Sequence, residues 1–145
     1  MKLLLATGAL LTIVGLLTAA GGLPAVSYVG HAKVAAALAR NGTLVTASDL
    51  IVMGSHRAGP GQVELHEKET DVFYVTDGEA TFVTGGSMIA AKVANPGQLR
   101  SSDMRGGQIH HLSKGDIIVI PAGTPHWFKE VPLSISYYVV KVLKQ

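Results

Sequence analysis

One stretch limits what this chain can fold into more than any other: Gly115-Asp116-Ile117-Ile118-Val119-Ile120-Pro121-Ala122-Gly123-Thr124-Pro125-His126. Ile117 to Ile120 is apolar and mostly β-branched, which predicts a strand buried on both faces. Pro121 ends it, since proline cannot donate to a ladder. Gly123 is free to take positive φ and Pro125 fixes the exit, so the turn is tight and stiff. The chain then re-enters a sheet at His126-Trp127-Phe128. One imidazole is thereby set at the start of a strand, beside a turn that cannot wobble.

A chain of 145 residues is one domain by length, and with 48% apolar residues it can bury a core. Its 17 glycines suit tight turns better than long helices. The net charge of +2 is small, and no basic run with interleaved aromatics points to nucleic acid. Cysteine is absent, which excludes disulfides, a thiolate nucleophile and zinc-thiolate sites. Any metal must be held by N and O ligands.

Met1-Lys2 followed by the apolar run Leu3 to Leu17 reads as a secretory signal, with small residues at Thr18-Ala19-Ala20 and a later cleavage point near Ala25. An uncleaved anchor and a buried core helix are the alternatives; the run is short for a span of about 20 residues. With no cysteine after it, a lipoprotein is excluded. Loss of Lys2 would leave 11 of the 12 basic side chains against 10 acidic ones, a nearly neutral mature protein.

His31 to Arg40 is built from good helix formers and stopped by Asn41-Gly42, predicting a short amphipathic helix packed outside a sheet, with His31 on the surface. Leu50 to Arg57 opens the β region. His56 or Arg57 could point into a barrel, but Gly54 leaves the parity open. Asp77-Gly78 predicts a two-residue hairpin pairing Val75 with Ala80, Phe73 with Phe82 and Asp71 with Thr84. Asp71, Phe73, Val75, Ala80 and Phe82 then share one face, which is apolar and hence inward. An inward Asp71 must be paired, protonated or metal-bound. Glu64 and His66, two apart, share a face opposite Val63 and Leu65.

Gly85-Gly86 predicts a second hairpin, with Ser87 to Lys92 returning; Gln98 to Gly107 is a polar loop. His110 and His111 face opposite ways on a short strand and cannot chelate together, so both are read as surface or edge residues. On the last strand, Ser134 to Leu143, Lys141 marks its own face as outer. That turns Tyr138 toward the pocket, where ordinary core packing with a satisfied hydroxyl is the competing reading.

The spacing Gly115-x5-Pro121-x-Gly123-x2-His126 resembles the second motif of the cupin superfamily, whose histidine is a metal ligand inside a small β-barrel. The family's following Asn is replaced by Glu130. Counted back from Gly78, the first motif places Asp71 at its Glu position, His66 at its second His and Glu64 at its first His, with Gly59 one residue out of register. The Glu-x-His-x4-Asp phrase is similar to that of small bacterial cupins. The resemblance implies an all-β double-stranded β-helix with a short N-terminal helix. It would occupy residues 30–145 as a single cupin domain, after a signal peptide over residues 1–20.

By this resemblance Glu64, His66, Asp71 and His126 hold a divalent metal, and two imidazoles with two carboxylates suit Mn, Fe, Zn or Ni. Arg57, Phe73, Phe82, Phe128 and Tyr138 are the candidate substrate-pocket residues. Cupins carry many reactions, so three functions stay open. The protein is a metal site acting on or binding a small carboxylate- or carbonyl-bearing molecule, with isomerase, lyase or dioxygenase chemistry available; or a non-catalytic ligand-binding barrel without metal; or a structural module with a polar core network. Open sheet edges add the expectation of a homodimer. The product is expected to be exported, to the periplasm or beyond, and not membrane-inserted after cleavage.

Overall fold

A computed structural model describes residues 26–144. The expected signal segment, 1–20 with cleavage as late as 25, lies outside them. One helix and twelve strands follow in order: α1 (His31–Arg40), β1 (Gly42–Thr46), β2 (Leu50–Arg57), β3 (Val63–His66), β4 (Glu69–Thr84), β5 (Ser87–Ile89), β6 (Lys92–Asn95), β7 (Gln98–Ser101), β8 (Asp103–Arg105), β9 (Gln108–Ser113), β10 (Ile117–Ile120), β11 (His126–Glu130) and β12 (Ile135–Leu143). The helix spans the residues its composition predicted and ends where Asn41 takes φ 61°. It lies against β1 and β2 and buries Ala37.

Two antiparallel sheets face each other, joined by β4. Its first half runs between β12 and β10, in the series β1-β2-β12-β4-β10. Its second half runs between β9 and β11, in the series β9-β4-β11-β3-β7-β6. Between the sheets lie Phe73, Val75, Phe82, Ile120, Phe128, Ile135 and Tyr137. This is the double-stranded β-helix that the resemblance implied.

The Asp77-Gly78 hairpin does not form. The pair sits inside β4, where Asp77 pairs with Ser136 and Gly78 with Ile135, and the β4–β12 register slips at Thr76. Gly78 does take the positive φ (77°) that the dipeptide signals, but spends it on a bulged bend; a Cβ there would collide with the Ser134 carbonyl. The extra residue flips the alternation. Asp71, Phe73 and Val75 before the bend and Ala80 and Phe82 after it are therefore all buried. The inward face is the expected one, reached by a bulge and not by a turn.

Three further expectations change. Ser87 does not return along β4, whose flanks are filled by β9 and β11; β5 instead pairs with β8. Together they cover Val63, Val83 and Trp127 on the outside of the second sheet. The polar stretch Gln98 to Gly107 is not a loop: it supplies β7 and β8. Finally, β10 is buried on one face only. Ile118 and Ile120 join the core, whereas Ile117 and Val119 are more than half exposed, because β10 is an edge strand with nothing among the described residues over its outer face.

Candidate metal centre

A cavity of about 630 Å³ opens between the sheets, with Met53, Phe73, Phe128, Tyr137 and Val139 among its apolar walls. Glu64 and His66 reach it from β3, Asp71 from the first half of β4, and His126 from the first position of β11. Ladder contacts fix their relation. His126 pairs directly with Glu64 across β11–β3, and the Gly123 N–H donates to the His66 carbonyl at 2.7 Å, tying the stiff turn to the other histidine.

The side-chain atoms converge. His66 Nε2 is 3.6 Å from both Glu64 Oε2 and Asp71 Oδ2, and His126 Nε2 is 3.9 Å from the same two oxygens. The two imidazole centroids are 5.2 Å apart. Ligands at about 2.1 Å from one ion stand roughly 3.0–3.4 Å from each other. The spacings are slightly wider than in a loaded site, and the ligating atoms of Glu64, His66 and His126, like those of His66, Glu69 and Asp71, all lie within 4.8 Å of one another.

Chemistry agrees with geometry. His126 Nδ1–H donates to the Thr124 carbonyl at 3.1 Å, so the lone pair is on Nε2. That Nε2 is buried, points into the cavity and has no hydrogen-bond partner. Burial holds the His126 pKa below its ordinary 6.5, against the opposing pull of the Thr124 carbonyl, Asp71 and Glu64, so the ring is neutral. Burial would raise Glu64, but His66, Arg100 and His126 outweigh it and bring its pKa to about 2. A neutral imidazole and an ionised carboxylate are the states in which these groups ligate. The donor set fits a divalent transition metal.

Sequence reasoning missed the cations and one carboxylate. Arg100 of β7 lies 2.8 Å from Glu64 Oε2, a close ion pair without hydrogen-bond alignment. Lys141 of β12 donates to Asp71 Oδ1 at 2.9 Å and to Glu69 Oε2 at 2.8 Å. Glu69 also stands 3.8 Å from His66 Nδ1, so His66 has carboxylates near both ring nitrogens. Arg100 lies in a stretch whose polarity predicts a loop. Lys141, expected on the outer face, pairs with Asp71 across the ladder and shares its inward face.

That reversal corrects Tyr138. With Lys141 inward, Tyr137 and Val139 line the cavity, and Tyr138 goes out beneath α1 beside Val34 and Leu38. Arg57, Phe73 and Phe128 line the cavity. Phe82 is not on its wall: it is fully buried beneath, 4.6 Å from Phe128 between ring centres. His56 stands at the rim, its Nδ1 2.9 Å from Ser136 Oγ. His110 is part-buried beside Thr84 Oγ1 (2.8 Å) and His111 is exposed, both away from the cavity.

Fold and site together define a small β-barrel with a histidine–carboxylate cluster in its mouth. A family model described as Cupin matches residues 31–139, and the chain belongs to that family. No curated protein matches the sequence. Among solved structures, a Bacillus halodurans protein is similar at 18% identity and TM-score 0.56, covering 87% of this chain and 86% of its own. A conserved Streptococcus pyogenes protein of unknown function is similar at 16% identity and TM-score 0.50, covering 71% and 72%. At such identities the likeness is one of fold.

Proposed function

We propose that this cupin holds a divalent transition metal (Mn, Fe, Zn or Ni) between Glu64, His66, Asp71 and His126. In the adjoining cavity it would bind or act on a small molecule bearing a carboxylate or carbonyl. The observation that carries the reading is the buried, partnerless His126 Nε2, aimed at the point that His66 Nε2 and two carboxylate oxygens also face. Native interiors rarely leave such an atom unsatisfied. A bound metal supplies Lewis-acid polarisation of a substrate oxygen. The chain's own part is to present a neutral imidazole, to hold Asp71 through Lys141 and Glu64 beside Arg100, and to keep the walls apolar.

Metal analysis of gently purified protein should find close to one ion per chain. A chelator should lower the melting temperature of the wild type and leave Asp71→Asn nearly unmoved. A metal-free, chelator-insensitive wild type would refute the reading. It would leave the second one, a metal-free pocket for a small ligand, which a specific observation favours: Arg100 and Lys141 already face the carboxylates. For the same reason Asp71→Asn should not stabilise the metal-free protein, since it strips Lys141 of a partner.

The proposal includes export and pairing. The basic-then-apolar start of the sequence supports a cleaved signal, so the mature N-terminus is expected between Ala20 and Ser27. Intact mass of protein from the native host checks this; a mass that still includes residues 1–20 rejects cleavage. A homodimer is the proposed assembly.

A further inference from the structure

Three of the basic side chains line the cavity, and they are not equivalent. Arg100 faces Glu64, and Lys141 faces Asp71 and Glu69. Arg57 has no carboxylate within ion-pair reach among the described residues, and its buried Nε has no hydrogen-bond partner. The Tyr137 side chain is a hydrogen-bond partner for part of this guanidinium, and the buried N–H left without an acceptor costs free energy unless something else fills the role.

The surroundings hold this guanidinium in place. Its Cζ lies 4.8 Å from the Phe128 ring centroid, a cation–π contact that fixes the plane. Gly61 makes the room beside it: a Cβ there would fall 2.7 Å from Nη1 and 3.1 Å from Cζ. The Tyr137 hydroxyl stands beside it. Burial raises the Tyr137 pKa more than the neighbouring Arg57 charge lowers it, so the hydroxyl keeps its proton and can donate. Guanidinium and phenol together offer donors and call for an acceptor-only group.

We propose that Arg57, with Tyr137 at its side, anchors the carboxylate of a small organic anion whose other end reaches the histidine–carboxylate cluster. The second half of this statement rests on the metal reading; the anchor itself does not. Phe73 neighbours both ends, its ring centre 5.0 Å from that of Tyr137 and 6.4 Å from that of His126. Charge agrees. Glu64, Glu69 and Asp71 are offset by Arg57, Arg100 and Lys141, so a divalent ion would leave the cavity cationic and ready for an anion.

The test uses pyruvate as probe, with its neutral methyl ester and inorganic phosphate as comparisons, titrated calorimetrically into zinc-loaded and chelator-stripped protein. Pyruvate is expected to bind more tightly than either comparison. Arg57→Gln should weaken it on the order of tenfold or more, and Arg57→Lys, which keeps the charge but loses the fork, by less. Gly61→Ala, which displaces the guanidinium without removing it, should also weaken it. Zinc affinity should stay within about twofold in all three variants, which also shows that they fold. Equal pyruvate affinity in wild type and Arg57→Gln overturns the anchor. So does methyl pyruvate or phosphate binding as tightly as pyruvate, or no pyruvate binding at millimolar concentration. Failure of zinc to bind, with pyruvate still dependent on Arg57, rejects the metal reading and leaves the anchor standing.

Discussion

Asp71 and Lys141 show how far single residues could be read. Alternation along Asp71-Val72-Phe73-Tyr74-Val75 put the carboxylate inside, and it is inside, only 2% exposed. The rule that a charge faces water then failed for Lys141, because a charge turns inward when its partner is already there. Knowing that pairing required the β4–β12 register, which is non-local. Glu64 carries a pH signature of the same network. Its folded pKa is about 2 against an ordinary 4.5, so between those values the unfolded chain holds a proton that the folded one lacks. Stability is therefore full above pH 4.5 and is lost as pH falls toward 2. His126, held below 6.5 by burial, adds a loss that sets in as pH falls through 6.5, the ordinary value, and continues below it. Melting of chelator-treated protein should fall through this whole range. Glu64→Gln should flatten the limb below pH 4.5, and an unchanged limb would show that Glu64 does not carry it.

Among the elements, β4 decides the architecture. The dipeptide Asp77-Gly78 was legible as a place where φ turns positive, and that part was right. A hairpin and a bulged bend share that local signature, and they differ only in what pairs with the flanks. Here β12 bridges the bend, so one strand serves both sheets. The motif around Pro121 was legible in more detail because its meaning is local: strand, stop, turn, histidine. Its edge position was not, since burial of an edge strand's outer face depends on what else covers it. Gly78 makes the tightest approach of the described glycines and should be correspondingly hard to replace. Gly78→Ala meets both a left-handed backbone and the Ser134 carbonyl, and should cost about 2–3 kcal/mol. Gly85→Ala, with φ 74° and open space for its Cβ, should cost only about 1–2 kcal/mol. Urea denaturation separates the two; equal losses would mean that the close approach at the bend carries no weight.

At the scale of the whole molecule, α1 covers the outer face of the first sheet at β1, β2 and part of β12, while nothing among the described residues covers the same face at β4 and β10. Ile117 (65% exposed), Val119 (56%), Tyr74 (44%) and Val142 (46%) lie on it. Cross-strand pairing joins them into a continuous surface: Ile117 with Tyr74, Val119 with Val72, and Val72 with Val140. None of these side chains is charged, whereas the rest of the exterior carries most of the Lys, Arg, Asp and Glu. Contiguous exposed apolar surface of this kind marks an interaction site. A second copy is the occupant we propose, because two uncharged apolar sheet faces related by a two-fold axis are self-complementary. The site chemistry is insulated from this face: Ile118 and Ile120, not Ile117 and Val119, pack toward the core. Replacing Val119 by Lys should therefore abolish pairing while leaving metal content and the melting response to chelator intact. Light scattering on signal-free protein is the measurement. The wild type is expected at twice the single-chain mass at micromolar concentration, and Val119→Lys at the single-chain mass. A wild type already at the single-chain mass rules out the dimer, and a Val119→Lys protein that still pairs moves the interface to another surface.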